Sequence, residues 1–217
     1  VAIIGGAKVS TELTIIKKLL EKIDTLVLGG GIVNTFLNAA GYEIGKSLYE
    51  KDLVETSKEL IEQAKKNNCN ILLPDDVLTG NKFEENATAE IRSISDIDKN
   101  DIIMDVGPKT IKKLNAIIKE AKTIVWNGPL GVFEFEKFSN GTKALAQEII
   151  KSDAYSIAGG GDTIAAITKF NVKKDISYIS TGGGAFLEFL EGKKLPAIGI
   201  LEEAARAWVA MEKAREL

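Results

Sequence analysis

Histidine is absent from these 217 residues, and cysteine occurs once, at Cys69. The first absence excludes Ser-His-Asp chemistry, Cys-His pairs and every His-bearing zinc motif within this chain. The second forbids an internal disulfide and points to a reducing, cytoplasmic compartment. No apolar run is long enough to cross a bilayer, so no membrane partner is expected. There is no excess of positive charge either. The net charge of −3 argues against nucleic acid as the main partner. No linker, low-complexity stretch or charge block divides the chain. The dinucleotide fingerprint G-x-G-x-x-G is also missing, because Gly29, Gly159 and Gly182 each lack the third glycine at the required place. That leaves an NAD-dependent oxidoreductase without support.

What the chain does have is a 45% hydrophobic content, enough for one large α/β core. Short apolar runs at Val1–Ile4, Thr25–Leu28, Asn70–Leu73, Ile102–Met104, Thr123–Trp126, Tyr155–Ala158 and Ser177–Ile179 predict buried parallel strands. Helical spacing separates most of them. Leu13, Ile16, Leu19, Leu20 and Ile23 share one face. Leu53, Leu60, Ile61 and Ala64 share another. Ile111, Leu114, Ile117 and Ile118 form a third, and Leu145, Ile149 and Ile150 a fourth. A smaller β element is expected within Asp76–Ile94. This alternation predicts a three-layer, doubly wound, mainly parallel α/β sheet with helices on both faces. The same pattern suits a (β/α)8 barrel, and helix spacing does not separate the two. The chain opens on Val1, directly in a strand, and is expected to be a piece of something longer.

Glycine marks the ends of these strands. Gly5-Gly6 and the triplets Gly29–Gly31, Gly159–Gly161 and Gly182–Gly184 each follow an apolar run and precede a helical segment. Glycine lets backbone amides approach a ligand, and the helix behind adds its positive dipole end. The favoured guest is a phosphate. Asp75-Asp76, Asp105, Asn127-Gly128-Pro129 and Asp162 fall at strand ends too, where open α/β sheets bind ligands. Ordinary turns are also rich in Gly, Asn and Asp, which accounts for one or two such loops more easily than for all of them. Lys8 follows Gly5-Gly6-Ala7 and offers a point charge for phosphate oxygens, or is simply an exposed lysine. Asp162 is either a helix cap or a ligand for Mg²⁺ beside a phosphate. Asn127 through Glu134 is either a packed turn or a nucleotide border. Gly41–Ser47 looks like a P-loop, but it is one residue short and follows no strand, so Lys46 is expected to be solvated.

Five strings together resemble the C-terminal half of phosphoglycerate kinases: Gly5-Gly6-Ala7-Lys8-Val9-Ser10, Gly29-Gly30-Gly31, Trp126-Asn127-Gly128-Pro129 through Glu134, Gly159-Gly160-Gly161-Asp162-Thr163, and Ser180-Thr181-Gly182-Gly183-Gly184-Ala185. Their order matches too, over about residues 1 to 200, and Glu188–Lys193 agrees. The resemblance favours the open sheet over the barrel. It implies a nucleotide domain at 1–200 that takes Mg²⁺ with ADP or ATP; the residues beyond it, 201–217, are expected to form a helical extension packed on or beside it. It implies an adenine slot lined by Gly6, Ala7, Gly29, Gly30, Gly31 and Met104. Lys8 would bind phosphate, Asn127 and Pro129 would border the nucleotide, and Glu134 would take the ribose. Gly160, Gly161 and Thr163 would sit at phosphate, and Asp162 would hold Mg²⁺. Lys8 with Gly182, Gly183 and Gly184 would stabilise the phosphoryl group in transit. The partner implied is an absent N-terminal domain that binds 3-phosphoglycerate, without which no transfer is expected. A folding or assembly scaffold with incidental nucleotide binding is the alternative. The chain departs from the family's pattern at Glu12, where a lysine is usual, and in the length of its tail. Leu201, Ala204, Ala205, Trp208 and Met211 predict one apolar side of a helix there.

Overall fold

The computed structural model describes residues 1–215. The strands are β1 (Ala2–Gly6), β2 (Thr25–Gly29) and β3 (Asn70–Leu72), then β4 (Asp76–Gly80), β5 (Ala89–Ser93) and β6 (Ile102–Val106), then β7 (Thr123–Asn127), β8 (Tyr155–Ala158) and β9 (Tyr178–Ile179). Six of them form a parallel sheet in the order β3-β2-β1-β7-β8-β9. Its edge strands are its shortest, three residues in β3 and two in β9.

The helices are α1 (Val9–Leu19), α2 (Gly30–Ala39), α3 (Val54–Lys66), α4 (Pro108–Glu120), α5 (Asn140–Lys151), α6 (Gly161–Lys169), α7 (Gly184–Leu190) and α8 (Pro196–Arg215). The strands alternate between two cores, as period-two side chains must. Ala2, Ile4, Leu26 and Leu28 meet Ile15, Ile16, Ile32, Phe36 and Leu60 of α1, α2 and α3. Ile3, Val27, Ile124 and Trp126 meet Leu114, Ile118, Leu145, Ile149 and Ile167 of α4, α5 and α6. Helices therefore cover both faces, which is the three-layer arrangement the sequence predicts and not a barrel.

One expected parallel strand lies elsewhere. Ile102–Val106 pairs antiparallel with β4, and β4 pairs antiparallel with β5, in a separate three-stranded sheet. No helix lies between β5 and β6, so the chain has no crossover with which to reach a parallel neighbour. The small β element expected within Asp76–Ile94 is the β4–β5 pair.

The terminal helix starts at Pro196, before the expected 201. Leu201, Trp208 and Met211, grouped on one side by the sequence pattern, are each more than half exposed. Lys194 pairs with Glu202 at 3.4 Å near its start. The part of the tail expectation that falls on Glu216 and Leu217 lies outside the described residues.

Candidate functional site

The chain builds β1, β2 and β3 outward on one side of the sheet and β7, β8 and β9 outward on the other. The direction of building therefore reverses between β1 and β7. Loops leaving neighbouring strands at such a point part and leave a crevice. Here the two loops first touch. A methyl group at Gly5 would overlap the Pro129 carbonyl oxygen and lie 2.7 Å from the Gly128 carbonyl carbon. Gly128 itself has φ +108, a conformation glycine adopts freely. Its amide donates to the Thr163 hydroxyl at 2.6 Å, and its carbonyl accepts from the Trp126 indole at 2.9 Å. The loop after β2 joins in, because the Gly30 amide donates to the Leu130 carbonyl at 2.9 Å.

Beyond these contacts the crevice opens into a cavity of about 490 Å³. Gly6, Ala7, Gly30, Gly31, Pro129 and Leu130 line the side toward the parallel sheet. Val77, Met104 and Val106 of the small sheet line the other, with Phe83 and Val132. The two sides are tied where the Val132 amide donates to the Met104 carbonyl at 2.7 Å. Glu134 and Asp162, both exposed, stand at its margin.

The structure thus brings together Gly6, Ala7, Gly30, Gly31, Met104, Pro129, Glu134 and Asp162 around one cavity. Gly29 is buried behind it, at the end of β2. Lys8 is exposed at the N-cap of α1. Asn127 is buried at the end of β7, with its amide nitrogen 3.4 Å from Glu12 Oε2. Gly160, at φ +91, packs against Asn127, and a methyl group on Gly161 would meet nothing within 4 Å. Thr163 is fully buried, and its hydroxyl accepts from the Gly128 amide, with its own O–H still free to donate. Replacing Thr163 by valine leaves that buried amide without an acceptor. We expect a loss of roughly 1–3 kcal/mol in urea unfolding; an unchanged midpoint would show the bond to be unimportant. Gly182, Gly183 and Gly184 follow β9 at the same end of the sheet but are exposed and do not line the cavity.

Other residues at the cavity carry weaker sequence signals. Phe83 is 64% exposed and tilts onto Phe135 at 5.4 Å between ring centroids. Its only signal is an aromatic ring in an otherwise polar stretch. Lys46 is exposed, as expected, yet it also lines the cavity with Leu48. The P-loop look-alike around it has a different use. The Lys46 amide donates to the Asp101 carbonyl at 2.8 Å, and the Ser47 hydroxyl accepts from the Ile103 amide at 2.9 Å. Asp76 is also occupied, accepting from the Lys109 and Thr110 amides at the start of α4.

Three carboxylates are perturbed here. Burial pushes Asp105 up to about 7, against hydrogen bonds from the Gly141, Val106 and Asn140 amides. The Gly141 and Val106 bonds are 2.8 and 2.9 Å long and pin the start of α5 to β6. Burial, then the charge of Glu191, raises Glu12 above its ordinary value, and a Thr11 hydrogen bond opposes them. For Glu50, burial pushes upward but is outweighed by bonds from the Ser10 hydroxyl and the Ser10 and Val9 amides and by the charge of Lys8, so its carboxyl sits low. It caps α1 from 40 residues away, at 2.6 Å from the Ser10 hydroxyl and 2.8 Å from the Ser10 amide.

Among the described residues no cluster of three or more acidic, histidine or cysteine side chains is placed to hold a metal. Asp162 stands singly at the start of α6. One exposed carboxylate does not cage a resident ion, but it fits Mg²⁺ that arrives already bound to phosphate oxygens. No helix among the described residues is long and apolar enough to cross a membrane.

The phosphoglycerate kinase family model matches residues 1–193. A phosphoglycerate kinase of Francisella tularensis subsp. novicida is 55% identical over 204 residues, which is 94% of this chain and 52% of that protein. One from Francisella philomiragia is 54% identical over the same length and shares. Among solved structures, phosphoglycerate kinase from Coxiella burnetii matches with a TM-score of 0.90 and 52% identity, covering 92% of this chain and 52% of that one. The enzyme from Pyrococcus horikoshii matches with a TM-score of 0.78 and 32% identity, covering 93% and 51%. The chain spans about half the length of the relatives it matches.

Proposed function

The chain belongs to the phosphoglycerate kinase family, and from that premise we propose that it is the nucleotide-holding half of such an enzyme. It takes Mg-ADP or Mg-ATP for phosphoryl transfer between 1,3-bisphosphoglycerate and ADP, a glycolytic step, in the cytoplasm. The observation that carries this reading is the convergence of the loops after β1, β2, β7 and β8 on one cavity at the switch point. The base lies among Gly6, Ala7, Gly29–Gly31 and Met104, and Asn127 and Pro129 border the nucleotide. Glu134 accepts from ribose hydroxyls. Lys8, Gly160, Gly161 and the Thr163 amide face the phosphates, and Asp162 holds Mg²⁺. The exposed Gly182–Gly184 loop, with Lys8, meets the phosphoryl group in transit. Residues 1–200 form the nucleotide domain, and the tail from 201 onward is an extension of it. The 3-phosphoglycerate side belongs to an N-terminal domain outside this chain.

The apolar cavity and the backbone-rich rim support this division. Phosphoryl transfer asks for positioning and charge neutralisation, not a histidine nucleophile. Asp162 would hold Mg²⁺ brought in with the nucleotide, and the ion would supply part of that charge neutralisation at the phosphates.

Calorimetry with ADP and Mg²⁺ tests the proposal. Saturable, magnesium-dependent binding is expected. Asp162→Asn should weaken it about tenfold, or ~1.4 kcal/mol, and remove the gain from magnesium. A coupled kinase assay should find no turnover by the chain alone. Absence of binding at millimolar nucleotide sinks the reading and favours a scaffold without ligand. Robust turnover by the lone chain refutes the division of labour.

A further inference from the structure

We propose that Lys169 is a positioning residue that sets the ribose-facing Glu134 against the phosphate-facing end of α6. The inference rests on the assignment of Glu134 to ribose above.

The observations come from the two ends of α6. At its first turn, the Thr163 hydroxyl holds the Gly128 amide at 2.6 Å. At its last residue, the Lys169 ammonium donates to the Phe133 carbonyl at 2.7 Å and approaches the Glu134 carbonyl at 3.4 Å. The Glu136 carboxylate lies 3.6 Å from the same ammonium. All of these partners belong to one segment, the loop that follows β7. The helix is therefore bolted to that loop twice, about 9 Å apart along its axis.

The two anchor points neighbour different parts of the site. Asp162 precedes Thr163 in the chain, and Glu134 is itself one of the residues whose carbonyl meets Lys169. The side chain of Glu134 is exposed and makes no hydrogen bond or ion pair of its own among the described residues. Its direction is set by its backbone alone, and that backbone is held by Lys169. A ligand that spans Asp162 and Glu134 loses less conformational freedom finding both contacts when their spacing is fixed. The ammonium also suits its place, because a cation at the last turn of a helix meets the negative end of the dipole. That helix-end role is the structural alternative, and the test must separate it from positioning.

The test is a two-by-two comparison by calorimetry with Mg²⁺ present. The full chain and Lys169→Met are each titrated with ADP and with 2′,3′-dideoxy-ADP. In the unaltered chain, loss of the ribose hydroxyls should weaken binding about tenfold, as expected for hydrogen bonds to a charged group. In Lys169→Met, ADP should bind about as weakly as the dideoxy compound, with the ratio falling to about one. Lys169→Arg keeps donors for both carbonyls and should restore the ratio.

A Lys169→Met chain that discriminates ribose as well as the unaltered chain overturns the proposal, whatever its melting temperature. So does an unaltered chain that binds ADP without discriminating ribose. If Lys169→Met does not fold, Lys169→Gln is read in the same comparison with the same criteria. Failure of the unaltered chain to bind ADP at all is a different outcome: it removes the nucleotide reading, and this inference falls with it.

Discussion

Gly5→Ala is expected to destabilise the protein by more than about 3 kcal/mol, measured as the shift in urea unfolding. The added methyl group has nowhere to go. Its obstacles are the carbonyl groups of Gly128 and Pro129, not the end of a flexible side chain. Those carbonyls cannot retreat cheaply. Gly128 is fixed by Thr163 and Trp126, and Leu130 by its bond from Gly30. Gly6→Ala is the control. There the nearest atom is the Ile32 Cδ1 at 3.4 Å, an ordinary contact at a side-chain tip. Its cost should stay below about 1 kcal/mol. Equal tolerance of the two substitutions would show that the close approach of the β1 and β7 loops is not rigid.

This approach also bears on how β1 finds its place. Both faces of the strand are apolar, with Ala2 and Ile4 in one core and Ile3 in the other. A slip of one residue would exchange the faces without exposing a polar group, so hydrophobicity specifies the register only weakly. The position opposite Pro129 needs a glycine, so sterics reject a slip that would bring Ile4 there, though not one that would bring Gly6.

The second large effect is a dependence on pH. Asp105 is buried and its carboxyl is raised from 3.8 to about 7. Between those values the folded protein holds a proton there that the unfolded chain has released. Stability must therefore fall as pH rises through this window. The contribution is fully present below the ordinary carboxylate range and is lost by the time pH passes about 7. Its size is on the order of 4 kcal/mol. Glu12, also raised, acts in the same direction. Glu50 acts in the opposite sense, since its lowered value gives stability that is lost as pH falls through it. Unfolding by urea from pH 4.5 to 7.5 should show the decline. Asp105→Asn should flatten the slope. It should also be less stable at pH 5 by roughly 1–3 kcal/mol, because its NH2 group must face the Gly141 or Val106 amide and leave that donor unpaired. A slope of the same size in Asp105→Asn would assign the titration to another group.

The alternation of strands and helices was plain from apolar spacing because it follows from local chain geometry, while the choice of open layers over a barrel came from the family resemblance. Six of the seven expected strands lie in the parallel sheet. The seventh, Ile102–Met104, reads like the others since its composition is the same; only its partners differ, and pairing is a long-range property. The rim was legible for a similar reason. Loops such as Gly29–Gly31 and Gly159–Gly161 must be at carboxyl ends once their strands are parallel. The side chains that complete the cavity were not. Phe83 comes from the connection between β4 and β5 of the second sheet, and nothing local announces that this part of the chain folds over the first sheet. Thr163 shows the converse problem. A hydroxyl at a helix start looks wholly free, and only the tertiary contact reveals that it is buried and accepts from the Gly128 amide. Glu50, 40 residues from the helix it caps, has no pattern by which to be recognised.

The short outer strands of the main sheet have a consequence of their own. Three residues in β3 and two in β9 offer few free amides and carbonyls to a passing extended chain. A long flat border would be a template for intermolecular strand addition. One border of the smaller sheet reaches the same end by charge, since β5 there carries Glu90 and Arg92, which pair at 2.7 Å. Protection against edge-to-edge polymerisation is thus distributed across both sheets, away from the glycine-lined rim.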